Sequence, residues 1–222
     1  MVYDEDEPLF PDLDPEVNHL NEMYPNLFSN SKCQYYDMNS FNNLQWQSSG
    51  TSDLSILHVN IRSLGADSKM EQVGALLHFL NRKFHILCFT ESWLTESNKD
   101  LYSFDGYVAY HCLRSDGRRG GGISVFVTEE FDVRSIPDCT VSLPHIESLF
   151  LGVTYGDKLF NVGTFYRPPQ GDNQAFIREF ELILSALKVN SRDCFLCGDF
   201  NFDFLKSSDS SVVSFSHVLS LS

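Results

Sequence analysis

The sequence predicts an α/β protein built as a sandwich of mixed β-sheets. Three observations carry this prediction. Short apolar runs typical of buried strands alternate with segments of helical periodicity, a hairpin interrupts that alternation, and the 222 residues include 19 phenylalanines, enough for a substantial core. A hairpin pairs strands antiparallel, so its presence favours mixed sheets over a plain parallel sheet.

The first half of the predicted fold carries two apolar strands, a helix and a further short strand. Its segments are a strand over 54–60, a helix over 69–83, a strand over 85–94, and a loop with a short strand over 101–113. The strands are short apolar runs, and the helix has apolar side chains at intervals of three and four residues. The polar residues at the two strand ends are Asn60 and Glu91.

The second half is predicted to hold a hairpin, two helices and two further strands. Its segments are a glycine-rich turn from 114 leading into a strand over Ile123–Val127, a hairpin over 147–169, a helix over 173–188, a strand over 194–198 and a helix from 210. The sequence Tyr-Gly-Asp-Lys at 155–158 is the hairpin signal. Pro168 and Pro169 stop the second hairpin strand.

The most informative stretch is CFLCGDFNFD at 194–203, where an apolar strand turns at a glycine and presents Asp199 and Asn201. Alternate residues of an extended segment share a face, so these two side chains can point at one ligand. Phe200 and Phe202 then point into the core. A carboxylate beside a carboxamide suits a site that holds a water and a phosphate oxygen. Aspartate, asparagine and glycine are also turn residues, so a plain turn explains the stretch equally well.

Polar residues recur at the ends of the predicted strands. They are Asn60, Glu91, Tyr166, Arg167, Asp199 and Asn201. Strand ends that converge at one edge of a sheet build binding and catalytic sites. The sequence therefore predicts a single polar site at such an edge.

Charge is unevenly distributed along the chain. The formal net charge is -14; residues 1–50 hold nine acidic residues and one lysine, whereas residues 51–222 hold 21 acidic and 15 basic residues. Residues 1–52 are therefore expected to form an acidic, weakly ordered leader, and residues 53–222 the folded domain.

The composition also predicts the cellular compartment of the protein. No apolar run reaches the roughly 18 residues of a membrane-spanning helix, so no membrane association is predicted. The acidic N-terminus lacks the basic and apolar regions of a secretory signal. The six cysteines are scattered, and we expect reduced, mostly buried thiols in an intracellular protein.

Five short motifs occur in an order that resembles the endonuclease/exonuclease/phosphatase superfamily. They are LHVNIRSL at 57–64, FTESWL at 89–94, RRGGGISVFV at 118–127, FYRPP at 165–169 and CGDFNFD at 197–203. The Arg-Gly-Gly-Gly and Tyr-Arg-Pro-Pro sequences make the chain more similar to the apurinic-endonuclease-like domain of LINE-type (non-LTR) retrotransposons. The resemblance implies a four-layer α/β/β/α sandwich of the DNase I-like type.

The same resemblance implies a Mg²⁺-dependent phosphodiesterase that nicks target-site duplex DNA for reverse transcription. In the implied roles, Glu91 binds Mg²⁺, Asn60 orients the metal and the catalytic groups, Tyr166 donates to the scissile phosphate, Asp199 activates the attacking water, and Asn201 holds the phosphate. One carboxylate with water and phosphate oxygens suits Mg²⁺, a hard cation that keeps most of its hydration. Beyond the family pattern, the Arg167 guanidinium has the shape for a phosphate contact, with surface solvation as the alternative.

The chain departs from the family pattern after Asn201. That pattern continues with a further aspartate and a terminal Ser-Asp-His, whose histidine is the acid/base or phosphate-polarising group. His217 is not this histidine, because Ser216 precedes it and its neighbours follow a helical pattern. We therefore expect a domain incomplete at its C-terminus and weakly active or inactive.

Two other functions remain open on the sequence. A non-enzymatic remnant or binding module agrees with the truncation, and a repair endonuclease or another phosphoesterase agrees with the superfamily. Arg114, Arg118 and Arg119 fit a contact with the DNA backbone and a solvated turn equally well. An enzyme acting on chromosomal DNA would be nuclear, and the oligomeric state has no signal in the sequence.

Overall fold

The computed structural model describes residues 36–44, 54–114, 116–188, 192–204, 206 and 208–220. Four α-helices and nine strands lie in these ranges. In chain order they are α1 (Met38–Asn42), β1 (Ile56–Asn60), α2 (Lys69–Phe79), β2 (Ile86–Thr90), β3 (Tyr107–Cys112), β4 (Ile123–Thr128), β5 (Asp132–Ser135), β6 (Val141–Leu143), β7 (Ile146–Tyr155), β8 (Lys158–Tyr166), α3 (Asn173–Lys188), β9 (Cys194–Asp199) and α4 (Ser210–Ser220). None of the described helices combines the length and apolarity needed to cross a membrane.

The chain divides into two compact units, residues 1–53 with 71–83 and residues 54–70 with 84–222. In the first unit, α1 begins after Asp37, whose Oδ1 accepts the backbone N–H of Ser40 at 2.6 Å and so caps the helix. Only residues 36–44 of the predicted leader at 1–52 lie in the described part of the chain. Those nine residues contain a helix, and the leader's boundary stays a prediction.

The second unit is built on two mixed sheets. The first has the strand order β1-β2-β4-β3, with β1 and β2 parallel and the other pairs antiparallel. The second has the order β5-β7-β8-β9, with β6 also paired to β7. In this sheet β8 and β9 are parallel, and the other pairs are antiparallel. The predicted mixture of parallel and antiparallel pairs is confirmed.

Two apolar clusters form the core of this unit. The first lies between the sheets and includes Cys88 of β2, Val125 of β4 and Leu151 of β7. The second lies between the second sheet and two helices, and includes Phe180 of α3 and Phe215 of α4. One cluster is buried between the two sheets and the other between the second sheet and two helices, so the unit is an α/β sandwich, as predicted.

Both parallel pairs bring polar strand ends together. In the register of β1 and β2, Asn60 lies opposite Thr90, the residue before Glu91. In the register of β8 and β9, Tyr166 lies opposite Asp199. Paired parallel strands run in the same direction, so the residues at their carboxyl ends are neighbours.

Three local features differ from the sequence prediction. The helix α2 ends at Phe79 instead of near residue 83, because Asn81 has a left-handed backbone with φ of 46°. The strands β5 and β6 have no predicted counterpart, since runs of four and three residues are too short to show a period. Cys194 is exposed and not buried, because it lies at the exposed first end of β9.

Gly198 is required by the close approach of β8 and β9. A Cβ at this position would lie 2.1 Å from the carbonyl oxygen and 2.9 Å from the nitrogen of Phe165, both backbone atoms of the neighbouring strand. We expect Gly198→Ala to lower the free energy of unfolding by about 3 kcal/mol, because β8 and β9 must separate. Urea unfolding followed by circular dichroism measures this change.

The matched control is Gly74→Ala in α2. Among the residues that the structure describes, and apart from the backbone of the helix itself and the adjacent residues, no atom lies within 4 Å of a Cβ at Gly74. Alanine in a helix interior is favoured over glycine by about 1 kcal/mol. Equal destabilisation by the two substitutions would contradict the steric explanation for Gly198.

Candidate active site

Two hydrogen bonds join the strand ends of the two sheets. The Nδ2 of Asn60, at the end of β1, donates to Oδ2 of Asp199, at the end of β9, at 2.7 Å. The hydroxyl of Tyr166, the last residue of β8, donates to Oε1 of Glu91, which follows β2. The sheets therefore meet at these carboxyl ends, and four of the predicted site residues come together there.

Glu91 is held by three donors. Its Oε2 accepts the indole N–H of Trp93 at 2.6 Å and the backbone N–H of Gly121 at 3.3 Å, and its Oε1 accepts the Tyr166 hydroxyl. Its backbone is left-handed with φ of 57°, a conformation that costs about 1–2 kcal/mol and is concentrated at functional sites. A carboxylate has about four lone-pair sites, so the three donors fix its orientation and leave capacity for another partner.

Tyr166 keeps its proton at neutral pH. The residue is 3% exposed, and burial, together with the hydrogen bond to Glu91, raises the pKa of its phenol well above the usual value. To donate to a scissile phosphate, as predicted, the Tyr166 hydroxyl would have to break its hydrogen bond to Glu91. In this structure Tyr166 therefore acts on the Glu91 carboxylate.

The segment after β9 is a turn as well as part of the polar cluster. Asn201 has a left-handed backbone with φ of 49°, and its N–H donates to Oδ1 of Asp199 at 3.0 Å, as aspartate often does in turns. The expectation that both side chains share one face of an extended strand is therefore wrong at Asn201. The Nδ2 of Asn201 instead donates to the carbonyl of Arg167 at 2.8 Å, which holds its amide at the end of β8.

The phenylalanines of this turn point into the core, as predicted. The ring centroids of Phe200 and Phe202 each lie 5.0 Å from that of Phe215 in α4. Aromatic rings bury large apolar areas and prefer defined geometries. This packing anchors the turn that carries Asp199 and Asn201.

Arg167 has a structural role in place of the predicted phosphate contact. The residue is 4% exposed; its Nε donates to the carbonyl of Phe200 at 2.5 Å, and its Nη2 donates to that of Asn201. Its Nη1 donates to Oδ1 of Asn173 at 2.8 Å, and the guanidinium lies 4.4 Å from the centre of the Phe202 ring. All three nitrogens bind protein acceptors, so Arg167 holds the turn after β9 and is neither solvated nor open to a phosphate.

We expect Arg167→Met to lower the free energy of unfolding by about 2–4 kcal/mol, because buried carbonyls lose their charged donors while the apolar volume is retained. Urea unfolding measures the change. Arg178→Met, at an exposed position of α3, is the control and should stay within about 0.5 kcal/mol of the wild type. If Arg167→Met kept the wild-type stability but bound DNA more weakly, the result would support the predicted contact between Arg167 and a phosphate.

The oxygen atoms of Glu91 and Asn60 fit a hard divalent cation that keeps most of its bound water. The Oδ1 of Asn60 is buried and accepts no hydrogen bond from the described residues, and Asn60 lies opposite the residue before Glu91. Within the described ranges, no group of three or more His, Cys, Asp or Glu side chains could hold a metal ion. One carboxylate and one amide oxygen suit a largely hydrated Mg²⁺ better than a metal that needs a closed cage of protein ligands.

Three contributors to this cluster were not predicted from the sequence: Trp93, Gly121 and Glu147. Trp93 and Gly121 donate to Glu91. Glu147, the second residue of β7, is fully buried, and burial raises the pKa of its carboxyl. An acidic residue in an apolar strand was the available signal, because a buried carboxylate must find donors; no spacing rule identifies Trp93 or Gly121.

The arginines of the glycine-rich turn have different environments. Arg114 forms a buried ion pair with Glu147, with Nε 2.6 Å from Oε1. Arg118 pairs with the aspartate two residues before it, with Nε 2.7 Å from Oδ2. The Cζ of Arg119 lies 5.2 Å from the centre of the Trp93 ring. Neither a phosphate contact nor a solvated turn describes Arg114, whereas Arg118 and Arg119 are exposed.

The family pattern has an acid/base histidine near its C-terminal end, and two histidines of this chain, His58 and His217, can be compared with it. His58 in β1 lies with Nε2 3.3 Å from the Thr90 hydroxyl, and burial lowers its pKa to about 4, against the raising effect of Asp199. Its imidazole is therefore neutral at pH 7. His217 lies exposed in α4, on the helix that the sequence predicts for it.

The chain is similar to known proteins in sequence and in fold. The Endonuclease/Exonuclease/phosphatase family matches residues 43–211 of the chain. No curated protein matches the sequence. The matched range contains all six predicted site residues and both sheets.

The fold is similar to several solved structures. The endonuclease domain of TRAS1, a telomere-specific non-LTR retrotransposon, matches with a TM-score of 0.57 at 15% identity, over 76% of this chain and 71% of that one. An endonuclease/exonuclease/phosphatase family protein from Bacteroides thetaiotaomicron matches with a TM-score of 0.52 at 18% identity, over 72% and 68%. An AP endonuclease from Archaeoglobus fulgidus matches with a TM-score of 0.50 at 18% identity, over 76% and 71%.

At these identities the solved structures show the fold alone, and they confirm the predicted α/β sandwich. The family match extends from the residue after α1 to the second residue of α4. It includes the strand ends that carry the two hydrogen bonds between the sheets. The chain therefore belongs to the Endonuclease/Exonuclease/phosphatase family.

Proposed function

We propose that this domain is a Mg²⁺-dependent phosphodiesterase that nicks target-site DNA for reverse transcription, as in non-LTR retrotransposons. The observation that carries the proposal is the pair of hydrogen bonds between the sheets, which gathers Glu91, Asp199, Asn60 and Tyr166. Family membership supports phosphate-ester hydrolysis as the reaction class. The fold of the TRAS1 endonuclease domain and the Arg-Gly-Gly-Gly and Tyr-Arg-Pro-Pro sequences support the retrotransposon branch.

Asp199 is the residue that we assign to the attacking water. Its Oδ2 accepts from Asn60 and its Oδ1 accepts from the N–H of Asn201. Two donors therefore orient the carboxylate, and its remaining lone pairs can bind a water. A carboxylate fixed in this way can orient that water and accept its proton during attack on phosphorus. The bond from phosphorus to the 3′-oxygen breaks in the same reaction, and that oxygen takes a proton from solvent water and leaves as the 3′-hydroxyl.

Asn201 and Glu91 act on the phosphate side of the reaction. One N–H of the Asn201 amide donates to the Arg167 carbonyl, and the second can donate to a phosphoryl oxygen on which charge builds. Glu91 and Oδ1 of Asn60 would hold Mg²⁺, which supplies Lewis-acid polarisation of the phosphoryl oxygen when bound. Tyr166 keeps the Glu91 carboxylate oriented for that ion.

Exposed arginines of the glycine-rich turn offer a surface to the DNA backbone. Arg118 and Arg119 are exposed, and Arg119 lies over Trp93, whose indole donates to Glu91. Clustered guanidinium groups bind DNA phosphates and make the affinity fall as salt rises. The chain carries a net charge of -14, so tight non-specific binding is not expected. Action on chromosomal DNA would place the protein in the nucleus.

Nicking of supercoiled plasmid tests the proposal. The weak activity expected from the sequence should appear as slow conversion of supercoiled plasmid to open circles with Mg²⁺, and EDTA is expected to stop the conversion. The nick should carry a 3′-hydroxyl that a DNA polymerase extends without further processing. A folded protein that binds plasmid yet leaves it supercoiled with Mg²⁺ and with Mn²⁺ would instead indicate a binding module.

A repair endonuclease is the second candidate, supported by the fold of the Archaeoglobus fulgidus AP endonuclease. Two duplex oligonucleotides that differ only in a single abasic site separate the candidates. An enzyme for target-site nicking should cut the intact duplex, whereas a repair enzyme should cut only the abasic one. Release of inorganic phosphate from inositol phosphates, without DNA cleavage, would indicate a phosphatase.

A further inference from the structure

A buried ion pair lies behind the glycine-rich turn that contacts Glu91. Glu147 is 0% exposed; it accepts the Nε of Arg114 at 2.6 Å and the backbone N–H of Gly122 at 2.5 Å. Burial raises the pKa of the Glu147 carboxyl, and the Arg114 charge opposes this effect. Removing two charges from water costs several kcal/mol, so apolar residues of similar volume would serve stability as well. Stability alone therefore does not account for the pair.

The turn connects this pair to Glu91 through main-chain groups. The N–H of Gly121 donates to Oε2 of Glu91 at 3.3 Å, and its carbonyl accepts the N–H of Trp93 at 2.9 Å. The carbonyl of Gly122 accepts the N–H of Ser92 at 3.1 Å. The two glycines thus hold the Glu91 segment on one side and contact the ion pair on the other.

No side chain fits between the ion pair and the turn. A Cβ at Gly121 would lie 2.3 Å from Cζ of Arg114 and 2.5 Å from Oε1 of Glu147. Its φ of 70° is also one that glycine adopts without strain. The guanidinium therefore lies directly against the residue that binds Glu91, and a displacement of the pair moves that residue.

The segment held by the turn is strained. Glu91 and Trp93 have φ of 57° and 55°, left-handed values that cost about 1–2 kcal/mol each. Such residues persist only where surrounding contacts hold them. The hydrogen bonds from the glycine turn are among these contacts, so loosening the turn allows the Glu91 carboxylate to rotate away.

We propose that Arg114 and Glu147 are positioning residues for the Glu91 carboxylate: the pair holds the glycine turn against Glu91 and so fixes the proposed Mg²⁺ ligand. This inference rests on the proposed function, because it concerns the carboxylate assigned to the metal. Its consequence is that metal affinity depends on two residues that do not contact the metal.

The test replaces both partners together, because a single truncation leaves a buried charge without its partner. Arg114→Met combined with Glu147→Leu retains apolar volume and removes both charges. Mn²⁺ serves as the probe, and free Mn²⁺ is measured by electron paramagnetic resonance during titration of the folded protein. We expect the Mn²⁺ dissociation constant to rise by about 10- to 100-fold. The Mg²⁺ concentration for half-maximal nicking should rise similarly, with the rate partly recovered at saturating Mg²⁺.

Two companion variants sharpen the result. Glu147→Gln retains one of the two acceptor oxygens that Arg114 and Gly122 use, so its Mn²⁺ affinity should fall between those of the wild type and the double variant. Glu96→Gln with Lys99→Met removes an ion pair at the surface, to which no role in the site is assigned, and should leave Mn²⁺ affinity unchanged.

Wild-type Mn²⁺ affinity in the double variant overturns the proposal, even if that variant unfolds at a lower temperature, because a purely stabilising pair gives this result. If the double variant does not fold, wild-type affinity in Glu147→Gln overturns it equally. Absence of Mn²⁺ binding and of nicking in the wild-type protein would overturn the proposed function itself, so the two failures are distinguishable.

Discussion

Replacing Glu91 with glutamine is expected to reduce Mg²⁺-dependent nicking by about 10³-fold or more, because the charge that binds the ion is lost. The amide also presents an N–H group where the carboxylate accepts from Trp93 or Tyr166, so its orientation is disturbed. The initial rate of plasmid nicking measures the first effect. Mn²⁺ titration by electron paramagnetic resonance measures the loss of metal binding independently of catalysis.

Glu129→Gln is the control for this substitution, because Glu129 is exposed in the turn after β4. It should nick plasmid and bind Mn²⁺ as the wild type does. Thermal unfolding should show that Glu91→Gln remains folded at the assay temperature. Retention of wild-type Mn²⁺ affinity by the folded Glu91→Gln variant would remove Glu91 from the metal site.

Asp199→Asn is expected to reduce the nicking rate by about 10²–10⁴-fold, the usual range for loss of a general base. The Mg²⁺ concentration for half-maximal activity should stay close to the wild-type value, because Asp199 is assigned to the water and not to the metal. The asparagine satisfies only one of the two donors, Asn60 and Asn201, that now point at the carboxylate. Nicking rates measured across a Mg²⁺ titration give both quantities.

Asp157→Asn, in the exposed turn between β7 and β8, is the matched control and should leave both quantities unchanged. Glu91 is assigned to the metal and Asp199 to the water, so the two substitutions should affect the Mg²⁺ dependence differently. A Mg²⁺ dependence shifted as far in Asp199→Asn as in Glu91→Gln would show that Asp199 is a metal ligand, and the assignment of the water would then be wrong.

Local patterns in the sequence were sufficient for the main elements of the fold. The hairpin turn predicted at 155–158 joins β7 and β8, and the apolar stripe predicted over 173–188 forms α3. Periodicity identifies such elements because they bury one face over many residues. The four residues of β5 and the three of β6 carry too little pattern to be seen, and their position is set by pairing with β7.

The sequence by itself determined that Asn60, Glu91, Tyr166 and Asp199 stand at strand ends, because strand ends and turns are local properties of the chain. Only the tertiary structure decided which groups these side chains meet. The bond between Asn60 and Asp199 spans 139 positions of the chain, a separation that no spacing rule covers.

The partners of Arg114 and Arg167 were likewise decided by the tertiary structure, because they lie far away in the chain. Arg167 binds the carbonyls of a turn 33 and 34 residues away, and Arg114 meets Glu147 at a separation of 33 residues. In both cases the packing of one strand end against another element selects the partner. A buried guanidinium or carboxylate must take the donors or acceptors that this packing supplies, because leaving it unpaired away from water costs several kcal/mol.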